Sequence, residues 1–248
     1  MEWVYLSPHL DDVALSCGGL VWQQAHSRRH VSVLTICAGD PPPGEFSEFV
    51  LSLHTRWKTS SHAITQRRQE DIESCQLLGA AAHHLSIPDC IYRRGGEQNL
   101  PLYPTEESIF GPPHPVETGL LEELAATLAS IISDGARVVS PLAIGNHVDH
   151  HLTRQAAEKL GLRLWYYADF PYVLKNSQNL EQLEREGWEW QLFPLLEQGV
   201  QIWLEAIAAH ASQISTFWPD LESMRSEMRA YYRNEHGVRL WRPANSRL

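Results

Sequence analysis

Short apolar runs alternate with longer stretches of helical periodicity along most of the chain, and this alternation constrains the fold more than any other feature. The runs are "WVYLS" (3–7), "VSVLTICA" (31–38), "HHLSI" (83–87), "RVVSPLA" (137–143) and "RLWYYADF" (163–170). Between them the spacing predicts helices to about His26, over 66–78, over 117–133 and over 149–160. In the last of these Leu152, Ala156 and Leu160 recur on one face, and Gly161 follows as a residue free to take positive φ at the helix end. Gly79 closes the second helix in the same way. Alternating elements of these lengths predict an α/β fold: a Rossmann-like, mostly parallel sheet with helices on both faces. With 43% apolar residues, the 248-residue chain is expected to form one domain, residues 1–248, around a sizeable core.

Two segments fit no element. Residues 39–65 open with "GDPPPGEF", and residues 93–116 read "RRGGEQNLPLYPTEESIFGPPHPV", where proline and glycine oppose regular structure. Both are expected to be long loops. They follow the second and third strands, which places them at the carboxyl edge of the sheet, where open α/β folds bind ligands. The C-terminal third, from "DFPYVLKN" onward, is rich in tryptophan and helical spacing and is expected to pack against the same domain.

The formal net charge of −10 is spread without a basic block, which argues against nucleic acid or an anionic membrane surface as the partner. No window reaches the roughly 18 uninterrupted apolar residues of a membrane span, and no leader pattern opens the chain. Cys17, Cys37, Cys75 and Cys90 lack CxxC spacing and lie in apolar or helical surroundings, so they are expected as buried free thiols in a reducing cytoplasm.

The chemistry concentrates in two turns. "PHLDD" (8–12) follows the first strand and "GNHVDHHLT" (145–153) follows the fourth, so both are expected at the same sheet edge. Together they bring His9, Asp11, Asp12, His147, Asp149, His150 and His151. Imidazoles plus a carboxylate on rigid elements are what a nitrogen/oxygen metal site needs. His9, Asp12 and His150 supply two imidazoles and a carboxylate, leaving a fourth position open. Asp11 then stands beside the metal as a base for water, and His147 as an acid for the leaving amine or a stabiliser of the oxyanion. Asp149 is placed to orient a histidine. Singly, each piece has a plainer explanation, since a DD pair at a helix start is ordinarily a cap. His9-x-Asp11 with a distant histidine also spells the facial triad of non-haem iron oxygenases, although its familiar examples sit on antiparallel barrels.

With these motifs the chain resembles the PIG-L/LmbE-like family of zinc-dependent N-acetylglucosaminyl deacetylases, whose first motif is His-Pro-Asp-Asp after a strand and whose second is His-x-Asp-His before a helix. Further pieces agree: "RRQEDIESCQLLGA", "SIPD", "YYADFPY" and "HASQ". The resemblance implies His9, Asp12 and His150 as ligands of one zinc ion per chain, Asp11 as general base, and His147 as the electrophilic or acid group with Asp149 behind it. It also implies Arg67 and Asp89 as substrate contacts, where Arg67 would otherwise pair with Asp71 on its own helix. Leu10 replaces the motif's proline, and Gly145 stands where some members carry a tyrosine. The function expected is a cytoplasmic metal-dependent hydrolase that removes acetyl from an N-acetylated amino sugar or related conjugate. Metal-dependent phosphoester hydrolysis, and a non-catalytic sugar- or metal-binding role, are the alternatives.

Overall fold

The computed structural model describes residues 2–59 and 62–244. The chain begins with β1 (Glu2–Ser7), α1 (Asp12–His26), β2 (His30–Thr35), α2 (Glu48–Arg56), α3 (Ala63–Leu78) and β3 (Ala81–His84). A small hairpin of β4 (Arg94–Gly95) and β5 (Leu100–Pro101) precedes α4 (Thr118–Ile131), β6 (Arg137–Pro141), α5 (Val148–Glu158) and β7 (Trp165–Tyr167). The C-terminal part holds α6 (Tyr172–Lys175), α7 (Gln178–Arg185), β8 (Trp188–Phe193), α8 (Glu197–Ala209), α9 (Ala211–Phe217), α10 (Leu221–Glu235) and β9 (Val238–Pro243).

Seven strands form one sheet in the order β3-β2-β1-β6-β7-β9-β8, and the first five in that order are parallel. The expected α/β architecture is therefore the observed one. From β1 the chain steps outward through β2 to β3, whereas β6 lies on the other side of β1 and leads to β7. α1 packs against α3 and α8, and α5 packs against α4 and β6. The point where the direction of winding reverses lies between β1 and β6, and such a switch point opens a crevice beyond the strand ends. One apolar cluster runs from Trp3 to Trp241, so the C-terminal helices share the core of the sheet.

Close backbone approach sets the helix layer. Gly18 and Gly19 of α1 face α8, and a Cβ on Gly19 would lie 2.6 Å from Leu195 and 3.0 Å from the Trp203 ring. Trp203 donates its indole N–H to the Ala14 carbonyl, 2.6 Å away. Its large ring thus fills the space that two glycines leave without burying an unpaired donor.

The expectations for the irregular segments and the C-terminal third are refined. Residues 39–65 are not one structureless loop: α2 occupies Glu48–Arg56 and α3 starts at Ala63, three residues before its expected start. The prolines end at Pro43, after which the Ser47 hydroxyl accepts the Val50 N–H and caps α2, and Val50 and Leu53 bury one face. Residues 93–116 do lack long elements, but they hold the β4–β5 hairpin and short 3-10 turns. The C-terminal third shares the core, as expected, and also contributes strands. "WEWQLF" and "VRLWRP" pair antiparallel as β8 and β9, and β9 continues the sheet from β7. Both segments alternate with period two, a strand signal that their tryptophan content obscured.

The four cysteines are buried and unpaired. Among the described residues no helix is long and apolar enough to cross a membrane.

Past β2 the chain is pinned to the segment that leads to Asp89. The Gly39 N–H donates to the Ile87 carbonyl at 2.9 Å. A Cβ on Gly39 would lie 2.1 Å from the Ser86 carbonyl oxygen, so no larger residue fits. Gly39→Ala is expected to lower stability by about 1–3 kcal/mol through this overlap. Chemical denaturation of the two proteins measures it, and an unchanged midpoint would show that the strand ends separate freely.

Candidate metal centre and active site

The turn after β1 is shaped by its own side chains. The Ser7 hydroxyl donates to the His9 carbonyl at 2.6 Å and accepts the Val13 N–H at 3.2 Å, which takes over the capping of α1. Asp11 occupies the cap position without a side-chain cap bond, and Asp12 accepts the His9 backbone N–H at 2.7 Å. Both carboxylates are therefore turned into the crevice instead of capping the helix.

After β6 the backbone turns through two non-glycine residues at positive φ, Ala143 at 58° and Asn146 at 61°. Such strain persists where the surroundings hold it, as they do around functional sites. The turn delivers His147, Asp149 and His150 to the crevice opposite His9. The His9 and His147 rings meet edge to face at 4.8 Å, and the His150 ring lies 5.5 Å from His9 and 5.4 Å from His147. One ligand nitrogen from each of the three lies within 4.8 Å of the others.

Asp12 joins two of these rings. One oxygen lies 3.2 Å from His9 Nδ1 and the other 3.3 Å from His150 Nε2. The opposite nitrogens are already held: His9 Nε2 by Asp149 at 3.0 Å, and His150 Nδ1 by Asp169 at 2.5 Å. Carboxylates behind ligating histidines fix tautomer and ring orientation. The nitrogens left facing inward, with the Asp12 carboxylate between them, form a donor set suited to a borderline-soft divalent ion. The three imidazoles His9, His147 and His150 form an alternative grouping, but His147 uses its Nδ1 to accept the Asp149 backbone N–H at 3.2 Å.

The electrostatics favour positive charge at this point. Burial would lower the His150 pKa, but Asp12 and Asp169 outweigh it and push it up to about 10. Burial would lower His9 too, yet Asp89, Asp12 and Asp149 hold it well above its ordinary value. Asp12 moves the other way: burial would raise it, and His150 and His9 hold it well below the usual carboxylate range. Burial, reinforced by the charges of His9 and His150, keeps His147 neutral by lowering its pKa well below the ordinary value. Asp11 is raised, by burial first, against the opposing pull of Arg67.

Arg67 and Asp89 also reach the crevice. Arg67 lies 3.5 Å from Asp11 and 3.7 Å from Asp89, with its guanidinium over the Trp57 ring at 5.1 Å. The helix-surface pair with Asp71 does not form, because Asp71 is taken by His84 Nε2 at 2.7 Å. Of the nine residues singled out from the sequence, eight thus converge on one place. Asp149 differs in detail: its carboxylate holds His9, not His147, and accepts the Cys90 N–H at 2.9 Å. His151 faces away and bonds Asn146.

Several supporting residues had no local signal. Arg93 lies 2.6 Å from Asp149 and 2.5 Å from Glu117, which also accepts the Tyr103 hydroxyl. This buried chain ties the 93–117 segment to the centre. Phe110 of the same segment bridges His147 backbone to backbone and sets its ring edge to face against that imidazole at 5.7 Å. Asp169 was legible in principle, as an acid directly after the "LWYYA" run at the same sheet edge.

A cavity of about 450 Å³ opens over the cluster. His9, Asp11, Asp12, Arg67, Asp89 and His147 line its floor, and Phe49, Leu53, Trp57, Phe110, Tyr172 and Phe217 form much of its wall.

Comparison with known proteins gives the family and the fold. The family described as PIG-L, GlcNAc-PI de-N-acetylase, matches residues 4–160. A 2'-N-acetylparomamine deacetylase of Niallia circulans is 31% identical over 204 residues, 75% of this chain and 71% of the relative. A deacetylase of teicoplanin biosynthesis, solved in complex with teicoplanin, is 25% identical with a TM-score of 0.80, covering 98% of this chain and 97% of that one. A teicoplanin deacetylase in a zinc-inhibited form superposes with the same TM-score of 0.80 at 24% identity, over 98% and 97% of the two chains. The chain belongs to the PIG-L family. It is an N-deacetylase, a hydrolase of N-acetyl amide bonds.

Two outcomes follow from the donor set. With its pKa pushed up to about 10, His150 carries a proton at pH 7 that an incoming metal must displace, so uptake should release protons and affinity should fall as pH falls. Calorimetry in buffers of different protonation enthalpy reads the number released, and none released would mean that the ring is neutral beforehand. Asp169→Asn should weaken zinc binding about 10–100-fold without removing a ligand. Competition with a chelator of known affinity measures this loss.

Proposed function

We propose that this protein is a divalent-metal-dependent N-deacetylase acting on an N-acetylated amino sugar carried in a larger conjugate. The observation that carries the proposal is the Asp12 carboxylate set between His9 and His150, with Asp11 beside it on the cavity floor. His9, Asp12 and His150 would hold the metal, with zinc the ion proposed. When bound there, such an ion would supply polarisation of the amide carbonyl and a water nucleophilic near neutral pH.

Asp11 does the proton work. Its raised pKa suits a carboxylate that must accept a proton from water as the oxygen attacks and later return it to the amine nitrogen. Arg67 holds this carboxylate in place from the opposite side. His147 acts as a neutral electrophile. Its Nδ1 accepts the Asp149 N–H, which leaves the ring proton on Nε2 to bond the oxyanion as the acetyl carbon becomes tetrahedral. Of the two roles open to His147 from the sequence, this hydrogen-bonding arrangement supports oxyanion stabilisation. Water in and acetate plus the protonated amine out complete the balance.

The cavity supports the substrate class. Arg67 and Asp89 offer polar contacts to a sugar, while the aromatic wall from α2, Phe110 and Phe217 suits an apolar aglycone. We read residues 1–248 as one deacetylase domain and place it in the cytoplasm, where its unpaired cysteines are stable.

Asp11→Asn should keep its metal and lose about 10²–10⁴-fold in kcat. Acetate release from N-acetylglucosamine, its oligomers and aryl glycosides, with metal content determined on the same samples, provides the test. A fully active variant would remove Asp11 from the mechanism, and an inert wild type with metal bound would point to a binding role.

A further inference from the structure

A chain of hydrogen bonds behind the cavity wall fixes which atom one side chain presents. Glu70 is buried on α3, one turn after Arg67, and its carboxylate collects three donors. These are the Gln66 side-chain amide at 3.0 Å, the Ser212 backbone N–H at 3.1 Å and the Ser212 hydroxyl at 2.6 Å. Ser212 belongs to α9, and the next residue, Gln213, lines the cavity with Arg67 and Asp89. Gln213 Nε2 lies 3.0 Å from Ser212 Oγ. The chemistry above uses none of Glu70, Ser212 and Gln213.

The directions in this chain are forced. An ionised carboxylate only accepts, so the single Ser212 hydroxyl proton goes to Glu70. The Ser212 oxygen can then only accept from Gln213, which must turn an amide N–H toward it. The Gln213 carbonyl oxygen, Oε1, is thereby turned away from Ser212 and has no hydrogen-bond partner among the described residues. The residue itself is firmly held. Gln213 is only 5% exposed, and its backbone N–H donates to the His210 carbonyl at 2.9 Å. Further along α9 the Ser215 hydroxyl donates to the Arg56 carbonyl at 3.0 Å, and Thr216 accepts the Trp57 indole N–H at 3.0 Å. A buried acceptor fixed in a cavity wall without a protein partner is satisfied by what enters the cavity.

We propose that Gln213 is a specificity-determining residue whose Oε1 accepts a hydrogen bond from one hydroxyl of the amino sugar, and that Glu70 is the positioning residue that sets this polarity through Ser212. The proposal rests on the deacetylase function above. Glu70 lies three residues after Arg67 on the same helix, so α3 holds both the proposed sugar contact and the base of this chain. That common origin assigns the donor to the sugar and not to the aglycone, which the aromatic side of the cavity would face. A neutral acceptor rewards a hydroxyl. A sugar that lacks it, or carries fluorine there, cannot donate and leaves Oε1 buried and unpaired.

The experiment compares wild type, Gln213→Met and Glu70→Gln, each zinc-loaded with metal content verified. The substrates are an N-acetylglucosamine aryl glycoside and its analogues with each free sugar hydroxyl replaced in turn by fluorine. Methionine keeps the length of glutamine and removes the acceptor, so KM for the parent glycoside should rise about 3–10-fold with kcat within about twofold. In wild type one fluorinated position should raise KM by a similar factor. Gln213→Met should show no further rise at that position, because both changes remove the same bond. Glu70→Gln supplies a readout that a packing role would not move. Its amide can donate to Ser212 Oγ, which frees the Ser212 hydroxyl to donate to Gln213 and turns the Gln213 NH₂ to the cavity. The penalty for fluorine at that position should therefore shrink or invert, and an unchanged penalty would overturn the part assigned to Glu70. The wild-type series reads the contact without any variant, and indifference to fluorine at every position would overturn the proposal. Unchanged KM in Gln213→Met, or losses that multiply at every position, would do the same while acetate release by the wild type keeps the deacetylase function. A wild type that releases no acetate would overturn that function and this proposal with it.

Discussion

One carboxylate organises the centre. Asp12 is buried at the head of α1, accepts the His9 backbone N–H, and lies between His9 from the β1 turn and His150 from the β6 turn. An uncompensated carboxylate there would carry a large desolvation cost, so the two turns are stable only when they face each other across the switch point. Each partner is braced in turn, His9 by Asp149 and His150 by Asp169, and Asp149 is braced by Arg93. The result is a shell of charges, each satisfied by the next, in which a cation is the natural occupant.

The same shell explains why the long connections matter. The 93–117 segment sends Arg93, with Glu117 behind it, to Asp149 and Phe110 to His147, so its conformation and that of the clustered histidines are coupled. On the other flank, α2 and the turn after it supply Trp57, which carries the Arg67 guanidinium toward Asp11. Segments rich in proline and glycine thus serve as walls and braces, and their small second apolar cluster, including Val50, Leu53, Ile91 and Tyr103, anchors them without extending the sheet. Variation in these walls can change the conjugate accepted while the floor keeps one chemistry. Among relatives, proteins named for paromamine and for teicoplanin substrates share this fold or this family.

Much of the centre was legible from sequence because the two turns that build it are local. "PHLDD" and "HVDH" each carry their residues within five positions, directly after apolar runs whose order predicts a parallel sheet. Strand direction alone then sends both turns to one edge, and the resemblance to PIG-L deacetylases follows from the same letters. Residues with long-range partners were harder to read. Arg67 has an acid at i+4, which offers a plausible local pair, and only packing over Trp57 turns it toward Asp11.

What the sequence by itself determined is therefore the α/β class and the shared edge of the two motifs with the side chains they carry, since periodicity and spacing are properties of the local chain. Tertiary structure alone decided which nitrogen of each histidine faces inward, because that depends on Asp149, Asp169 and a backbone N–H arriving from other elements. It also decided that Tyr172 lies on Gly145, a contact between two loops that share no pattern. Hydrogen-bond direction and close packing are set by groups distant in sequence, and the chain order carries no local signal of either.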